Sequence, residues 1–419
     1  MGTPQRPIVG IGAGAGGIEA LEGFFRGIPE RSGLAYIVVT HLSPDRESFL
    51  PQILSRFTPM PVVPVAHGER IETDHVYVLA VGALVGIREG RFEVTTASER
   101  EPKPIDIFFS SLAANLGEAA VGIVMSGGDG DGTLGLKAIK EHGGLTLAQV
   151  DDAFGPRHPD MPHNAITSGF VDLPLPATEM GPRLVEFARS AQLMQDMVDA
   201  SGPSVEAEIH EALPEIYAIL RNQVGHDFSG YKKRTFVRRV QRRVQIRQLE
   251  SVAAYMELLR QHPDEVGLLF RDLLINVTSF FRDPESFEKL AEAVFRKLLA
   301  GRGAEDSVRI WVPGCATGEE VYSIAMLVRE QLQAAAGSPR VQIFATDIDE
   351  RALSVARAAR YPAAMLDGVS EERRNRFFTA DGTVSWLPRK CATCAYSPRT
   401  ASSAIRPSPR STWCRAATC

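Results

Sequence analysis

Residues 7–25 read PIVGIGAGAGGIEALEGFF. An apolar run, Pro7–Gly12, meets a cluster of glycines and passes into helical spacing from Ile18 to Phe25. Strand, glycine turn and helix open a parallel α/β unit. Gly12, Gly14 and Gly17 satisfy G-x-G-x-x-G. Such glycines permit a tight turn and let an anionic group approach the helix N-terminus. The pattern therefore admits a dinucleotide site. The next strand, Ala35–His41, ends on histidine, where a nicotinamide site wants an acid for the ribose hydroxyls. That mismatch makes the dinucleotide reading the weaker one.

The alternation continues outward. Leu50–Phe57, Ile105–Leu116 and Leu134–His142 read as helices; His75–Ala80, Ala120–Ser126 and Leu145–Gln149 read as strands. This predicts a parallel sheet covered on both faces. From Met180 to about Glu250 the pattern is helical, broken by the turn-forming Ser201-Gly202-Pro203-Ser204. Tyr231–Leu249 is an arginine-rich helix, with Arg234, Arg238, Arg239, Arg242, Arg243 and Arg247 forming a basic stripe. A solvated face, a nucleic-acid patch and a docking surface for an acidic protein all fit such a stripe. Helical spacing runs on through Leu258–Leu274. A second alternation follows: Val308–Val312 strand, Glu319–Leu332 helix, Val341–Thr346 strand and Glu350–Arg360 helix.

The chain has 419 residues, enough for two to four domains. Its hydrophobic fraction of 44 % and charged fraction of 23 % suit a soluble globular protein. No apolar run approaches a membrane span and the N-terminus has no secretory pattern, so a cytoplasmic protein is expected. Net charge is −5. The segment 389–419 holds five Arg, one Lys and no acid, which leaves the preceding residues at −11. An acidic body argues against general nucleic-acid binding. Four of the five cysteines lie in that last segment, so no disulfide framework is implied.

The stretches IGAGAGGIEAL, VVTHLSPD, PIDIFFSSLA, MSGGDGDGTLGLKAI and DMPHNAI lie in order across residues 7–187. Together they resemble the catalytic domain of chemotaxis protein-glutamate methylesterases of the CheB type. The resemblance implies a serine nucleophile in the first turn, a histidine after the second strand and an aspartate in the late glycine loop. Here those positions are Gly14, His41 and Asp131. Ester hydrolysis by this route needs a nucleophile activated by an oriented histidine, and glycine has no side-chain oxygen. Ser126, near the Asp131 loop, is the one substitute to weigh, but a strand end does not recreate a nucleophile turn. Taken alone, His41 is also a strand-end histidine, and Asp129 and Asp131 are turn residues or a poor metal pair. Separate methylesterases of this family carry a receiver domain first. With Met1 directly before the first strand, none is expected here.

The strings DFSGYKKRTFVRRVQRR, INVTSFFRDPESF and WVPGCATGEEVYS resemble chemotaxis glutamate methyltransferases of the CheR type. The resemblance implies S-adenosylmethionine (SAM) as cofactor, held by Asn276, Thr278, Arg282, Glu320 and Asp347. It also implies that the arginine helix, through Arg238 and Arg242, meets acidic methyl-accepting receptor helices or other signalling proteins. Chemically, a carboxylate at a second strand end accepts ribose hydroxyls, and Glu320 suits a cationic sulfur. No metal is implied, and Cys315 reads as loop packing.

The resemblance stops near Arg389. The CATC of residues 391–394 lacks partners for a zinc site. Codons permitted for residues 390–419, read from the third base of the Lys390 codon, can encode VRDLCVFSPHSVIRDPPFSRLDLVSCRNL. That string resembles the family's continuation, so a frame shift is expected, decided by the coding DNA. The expected fold is α/β. Residues 1–190 form a parallel-sheet, Rossmann-like methylesterase domain, joined by a linker over 191–205 to a small helical domain over 206–280. A truncated Rossmann-like methyltransferase domain covers 281–388, with poor stability expected over 300–388, and 389–419 is a disordered tail. The expected function is reversible methylation of receptor glutamates, with the esterase inactive. The alternatives are a non-catalytic receptor-binding scaffold or degenerate gene product, and, more weakly, a nicotinamide enzyme.

Overall fold

The computed structural model describes residues 6–40, 49–96, 103–199, 205–274, 278–334, 339–366, 368–381, 384–386 and 394–397. It divides into two compact units, Met1–Leu273 and Leu274–Cys419.

The first unit begins with β1 (Ile8–Ala13), α1 (Gly17–Arg26), β2 (Ala35–Thr40), α2 (Leu50–Leu54), β3 (Val62–Pro64) and β4 (Val76–Val78). A hairpin of β5 (Ala83–Arg88) and β6 (Arg91–Thr96) leads to α3 (Pro104–Leu116). Then come β7 (Ala120–Val124), α4 (Thr133–Glu141), β8 (Leu145–Val150), α5 (Asp160–Thr167), β9 (Leu173–Pro176) and α6 (Ala177–Asp199). The sheet has seven strands in the order β3-β4-β2-β1-β7-β8-β9, every pair parallel. β1, β2 and β7 are buried along both faces, apart from a half-buried Thr40. Their unbroken apolar runs reflect this, since a parallel sheet is covered by helices on each side. Phe24 and Phe25 of α1 meet Tyr36 edge-on, with ring centroids 6.0 and 5.8 Å away. A side chain at Gly12 would place its Cβ 2.5 Å from Ile105, so glycine there lets α3 lie close on the strand.

The winding reverses between β1 and β7. The chain moves from β1 through β2 to β4 on one side, then returns to β7 on the other. In open parallel sheets the crevice at the carboxyl ends of such a strand pair is where ligands are held. The expected strands and helices of this half are all present. The β5–β6 hairpin, β3, α5 and β9 are additions. A helical group completes the unit: α7 (Val205–Val224), α8 (Lys233–Ile246), α9 (Val252–Gln261) and α10 (Pro263–Leu273).

The second unit holds α11 (Pro284–Lys289), a π-helical turn at Leu290–Phe295, α12 (Arg296–Leu299), β10 (Ser307–Pro313), α13 (Glu319–Ala334), β11 (Arg340–Thr346) and α14 (Glu350–Ala358). Then follow β12 (Arg360–Pro362), α15 (Glu371–Phe377), β13 (Thr379–Asp381), β14 (Val384–Trp386) and β15 (Cys394–Ser397). β10, β11 and β15 form a parallel sheet; β12, β14 and β13 form an antiparallel one. Four residues of the segment expected to be structureless, Cys394–Ser397, are therefore a strand, in register with Ile343–Thr346. Their short apolar run meets the open hydrogen-bonding edge of β11. β10 alternates between buried and exposed positions, and Trp311 is 55 % exposed. One face of this strand is thus open among the described residues, unlike the strands of the first unit.

Candidate functional site

In the first unit, three turns meet at the β1/β7 crevice. The Gly14 amide donates to the Ser126 carbonyl at 2.8 Å, and the Gly14 carbonyl accepts from Gly17 N–H at 3.0 Å. The turn after β7 is pinned in turn: Gly127 N–H donates to His158 O at 2.9 Å, and Met161 N–H to Gly127 O at 3.0 Å. Asp131 is 1 % exposed. Its Oδ2 accepts from Ile105 N–H at 3.1 Å; its Oδ1 accepts from Asp106 N–H and Gly132 N–H, both at 2.9 Å. The carboxylate thereby satisfies amides in the first turn of α3, which no intrahelical partner can. Asp131 N–H donates to Asp129 Oδ1 at 3.0 Å, so Asp129 shapes the turn. His41 lies outside the described residues; β2 ends at Thr40, opposite Ala13.

Ser126 is fully buried. Its Oγ donates to Ala15 O at 2.9 Å and accepts from His158 N–H at 3.0 Å. It ties the loops after β1 and β8 together. Among the described residues, no group of three or more His, Cys, Asp or Glu is placed to hold a metal ion.

The second unit contains a cavity of about 840 Å³. It lies at the carboxyl ends of β10 and β11. Thr278, Arg282, Glu320 and Asp347 all line it. Asn276 lies outside the described residues. The glycine loop after β10 crosses into the left-handed region at Gly314 (φ 64°) and Ala316 (φ 44°). Asp347 holds this loop: its Oδ2 accepts from Ala316 N–H at 2.7 Å, and its Oδ1 accepts from Asp349 N–H at 2.8 Å. Phe281 also sits at positive φ, 49°, and its N–H donates to the buried Ser323 Oγ at 3.1 Å. That bond fixes the Thr278–Arg282 segment on α13.

Phe287, Leu290 and Ile324 give the cavity an apolar wall. Sequence reasoning did not single these three out; the signal for Phe287 and Leu290 was only their spacing of three after Pro284, and Ile324 was one apolar position of the Glu319–Leu332 helix. An apolar wall with Asp347 after β11, Glu320 at the start of α13 and Arg282 suits a cationic adenosyl ligand that also bears a carboxylate, and the volume falls in the range of small-ligand sites. Cys315 is buried, and its N–H donates to Thr346 O at 3.1 Å. Burial, then the nearby Asp347, push its thiol up to about 12. A buried thiol held up in this way fits the loop-packing role expected for it.

The arginine helix departs from the expected exposed basic stripe, in which Arg238 and Arg242 meet acidic receptor helices. Arg242 is 6 % exposed and Arg243 5 %. Arg242 pairs with Asp172 and Asp272; Arg243 holds Glu265 with two nitrogens at 2.8 and 2.9 Å. Carboxylates distant in sequence converge on the helix and take these charges out of water. Arg238 is half exposed and pairs with Glu118. Lys232, Lys233 and Arg234 remain exposed at the start of α8.

Residues 9–184 match the CheB methylesterase family, residues 211–274 the CheR methyltransferase all-alpha domain, and residues 276–391 the CheR methyltransferase SAM binding domain. The chain is 34 % identical over 349 residues to an "Uncharacterized 104.1 kDa protein in hypE 3'region" of Rhodobacter capsulatus, covering 79 % of this chain and 36 % of that one. It is 33 % identical to "Chemotaxis protein methyltransferase 2" of Pseudomonas aeruginosa, covering 40 % of this chain and 58 % of that one. A "Protein-glutamate methylesterase/protein-glutamine glutaminase 1" of Myxococcus xanthus is 30 % identical, covering 43 % of this chain and 54 % of that one. The chain thus spans about a third to three-fifths of the length of these relatives.

Proposed function

From a chain that joins a CheB methylesterase domain to the all-alpha and SAM-binding domains of a CheR methyltransferase, we propose methyl transfer from SAM to glutamates of receptor helices or other signalling proteins. The proposed setting is the cytoplasm. The observation that carries this reading is the convergence of Thr278, Arg282, Glu320 and Asp347 on one cavity. Bound SAM supplies a methyl group activated by a sulfonium. Asp347 is the acceptor for ribose hydroxyls, Glu320 the counter-charge to the sulfonium, and Arg282 the cation for a carboxylate. Asn276 is proposed with them on the family resemblance alone. An acceptor glutamate, with an ordinary pKa of about 4.3, is ionised at neutral pH and needs no strong base. The residues then act by positioning. Exposed Lys232, Lys233 and Arg234 favour an acidic partner.

Ester hydrolysis is not part of the proposal. Gly14 stands where the nucleophile would be, with His41 and Asp131 as the remaining members of the site. In subtilisin, removing the serine nucleophile costs about a million-fold in turnover. Gly14 favours a second reading for this half: a binding scaffold for the same receptor helices.

The test is incubation of the full chain with methyl-labelled SAM and cytoplasmic receptor fragments. Base-labile label on fragment glutamates, absent with Asp347→Ala, supports transfer. A folded chain that binds SAM but labels none of the fragments removes the transferase proposal for them.

A further inference from the structure

We infer that α8 is an internal clasp, docking the helical domain on the amino ends of β7, β8 and β9 so that residues 1–273 open as one body. The contacts of Arg238 and Arg242 with the sheet fall at the starts of strands. Arg238 pairs with Glu118, which precedes β7. Arg242 donates to the carbonyls of Gly143 (3.2 Å) and Gly144 (3.0 Å), which precede β8. The same guanidinium pairs with Asp172, which precedes β9 and is also held by Lys140 at 3.1 Å and by the Thr146 hydroxyl at 2.8 Å. On its other side Arg242 reaches Asp272 of α10 at 2.9 Å. One buried cation therefore joins carboxylates from two family domains.

The seam is apolar as well. Ile246, the last residue of α8, is 4 % exposed and belongs to the same hydrophobic core as β1, β2 and α1. Arg183 of α6 donates to the Ile246 carbonyl at 2.5 Å, and Gln248 to Glu186 at 2.7 Å. The clasp lies at the end of the sheet opposite the Gly14 crevice, so it closes the two domains together while leaving that crevice uncovered by α8. It also explains why Arg242 is not presented to acidic receptor segments: Asp172 and Asp272 already occupy it.

Deleting one partner of a buried ion pair is costly, because the charge left behind stays out of water. Separation of the two domains would break the Arg242 bonds to Asp172 and to the Gly143 and Gly144 carbonyls at once and expose Ile246. Local opening of either domain alone is therefore disfavoured relative to joint opening.

The experiment is native-state hydrogen exchange of the full chain across a urea series, read by mass spectrometry on β7–β9 and on α8–α10. In the wild type, both segments are expected to merge onto one opening isotherm. In Arg242→Met, α8–α10 are expected to lose at least about 100-fold of protection while β1 and β2 keep theirs, since one stranded partner of a buried pair suffices for that factor. The double variant Arg242→Met/Asp172→Asn, which leaves no unpaired charge at Asp172, guards against simple misfolding; it is expected to fold and still open in two steps. Independent opening of the two segments in the wild type overturns the clasp. So does a single merged isotherm in the folded double variant. Neither result depends on SAM or on methyl transfer.

Discussion

Restoring a serine at position 14 tests the account of the esterase half. Gly14 is outside the left-handed region, so an L-residue suits its backbone. An added Cβ would lie 3.1 Å from Gly127 Cα and 3.4 Å from Met161 Sδ. The methionine can swing aside; the Gly127 backbone must give by a few tenths of an ångström. Mild overpacking of this kind costs about 1–2 kcal/mol, or about 2–8 °C in melting temperature for a body of this size. The chemical gain is far larger. Subtilisin loses about a million-fold in turnover without its serine, and about a thousand- to ten-thousand-fold over water survives from binding and the oxyanion hole. Gly14→Ser is therefore expected to raise hydrolysis of a glutamyl methyl ester by at least about 1000-fold over the wild type. The assay is methanol release from a methylated receptor fragment, with His41→Ala and Asp131→Asn added separately to Gly14→Ser. Both double variants should return towards the wild-type rate. A folded Gly14→Ser chain that hydrolyses no faster than the wild type would refute the view that the rest of the site is intact.

Ser126→Ala removes the hydroxyl that joins Ala15 O to His158 N–H. It should cost about 1–2 kcal/mol in urea melts, and any trace hydrolysis by the wild type should persist; abolished hydrolysis would make Ser126 a nucleophile. Glu265 is fully buried against Arg243 and Arg247, so Glu265→Gln should destabilise the first unit by about 3–5 kcal/mol, seen as a lower urea midpoint. With its thiol pushed up to about 12, Cys315 should resist iodoacetamide at pH 8 in the native chain and react once unfolded, by peptide mass spectrometry. Burial pushes the Asp172 carboxyl up, but Arg242 and Lys140 pull it down further, to well below the usual carboxylate range. A carboxyl depressed on folding stabilises above its unfolded pKa and loses that contribution as pH falls through the folded value. The cost of Asp172→Asn should thus be steady from pH 8 to about 5 and shrink in stronger acid; a cost that vanishes by pH 6 contradicts the pairing.

The first α/β half was legible because its signals are local. The glycine cluster after Ile8–Gly12 dictates a turn, and Ala35–Thr40 and Ala120–Val124 are apolar enough to declare a strand buried on both faces. The β5–β6 hairpin carried a fainter signal. Glu89 and Gly90 both take positive φ, at 52° and 72°, as a two-residue hairpin turn of this kind requires, but Glu is not among the residues that advertise it. β9, Leu173–Pro176, holds two prolines and reads as a non-strand; it is tolerated as the sheet's edge. For the site, strand-end position brought Asp347 forward, whereas Glu320, on the first turn of α13, came from its charge and from the family resemblance. Arginine periodicity placed these residues on α8 but did not show that Arg242 and Arg243 are buried while Arg234 and Arg238 are exposed. Asp172 is 70 residues away from Arg242, and helical spacing cannot tell a face that meets water from one that meets distant carboxylates. The apolar cavity wall was missed for the same reason, since Phe287 and Leu290 are read as ordinary core until α13 is set against them.

The central claim is that the second unit holds a working SAM pocket anchored by Asp347. It is tested most directly by calorimetric titration of SAM into the purified full chain, beside Asp347→Ala. Charge-assisted hydrogen bonds contribute about 1.5–3 kcal/mol each, and loss of two predicts a drop of at least about 100-fold in affinity. The account predicts saturable binding to the wild type and that loss in the variant. A chain shown to be folded that does not bind SAM, or binds it equally well without the Asp347 carboxylate, would contradict it.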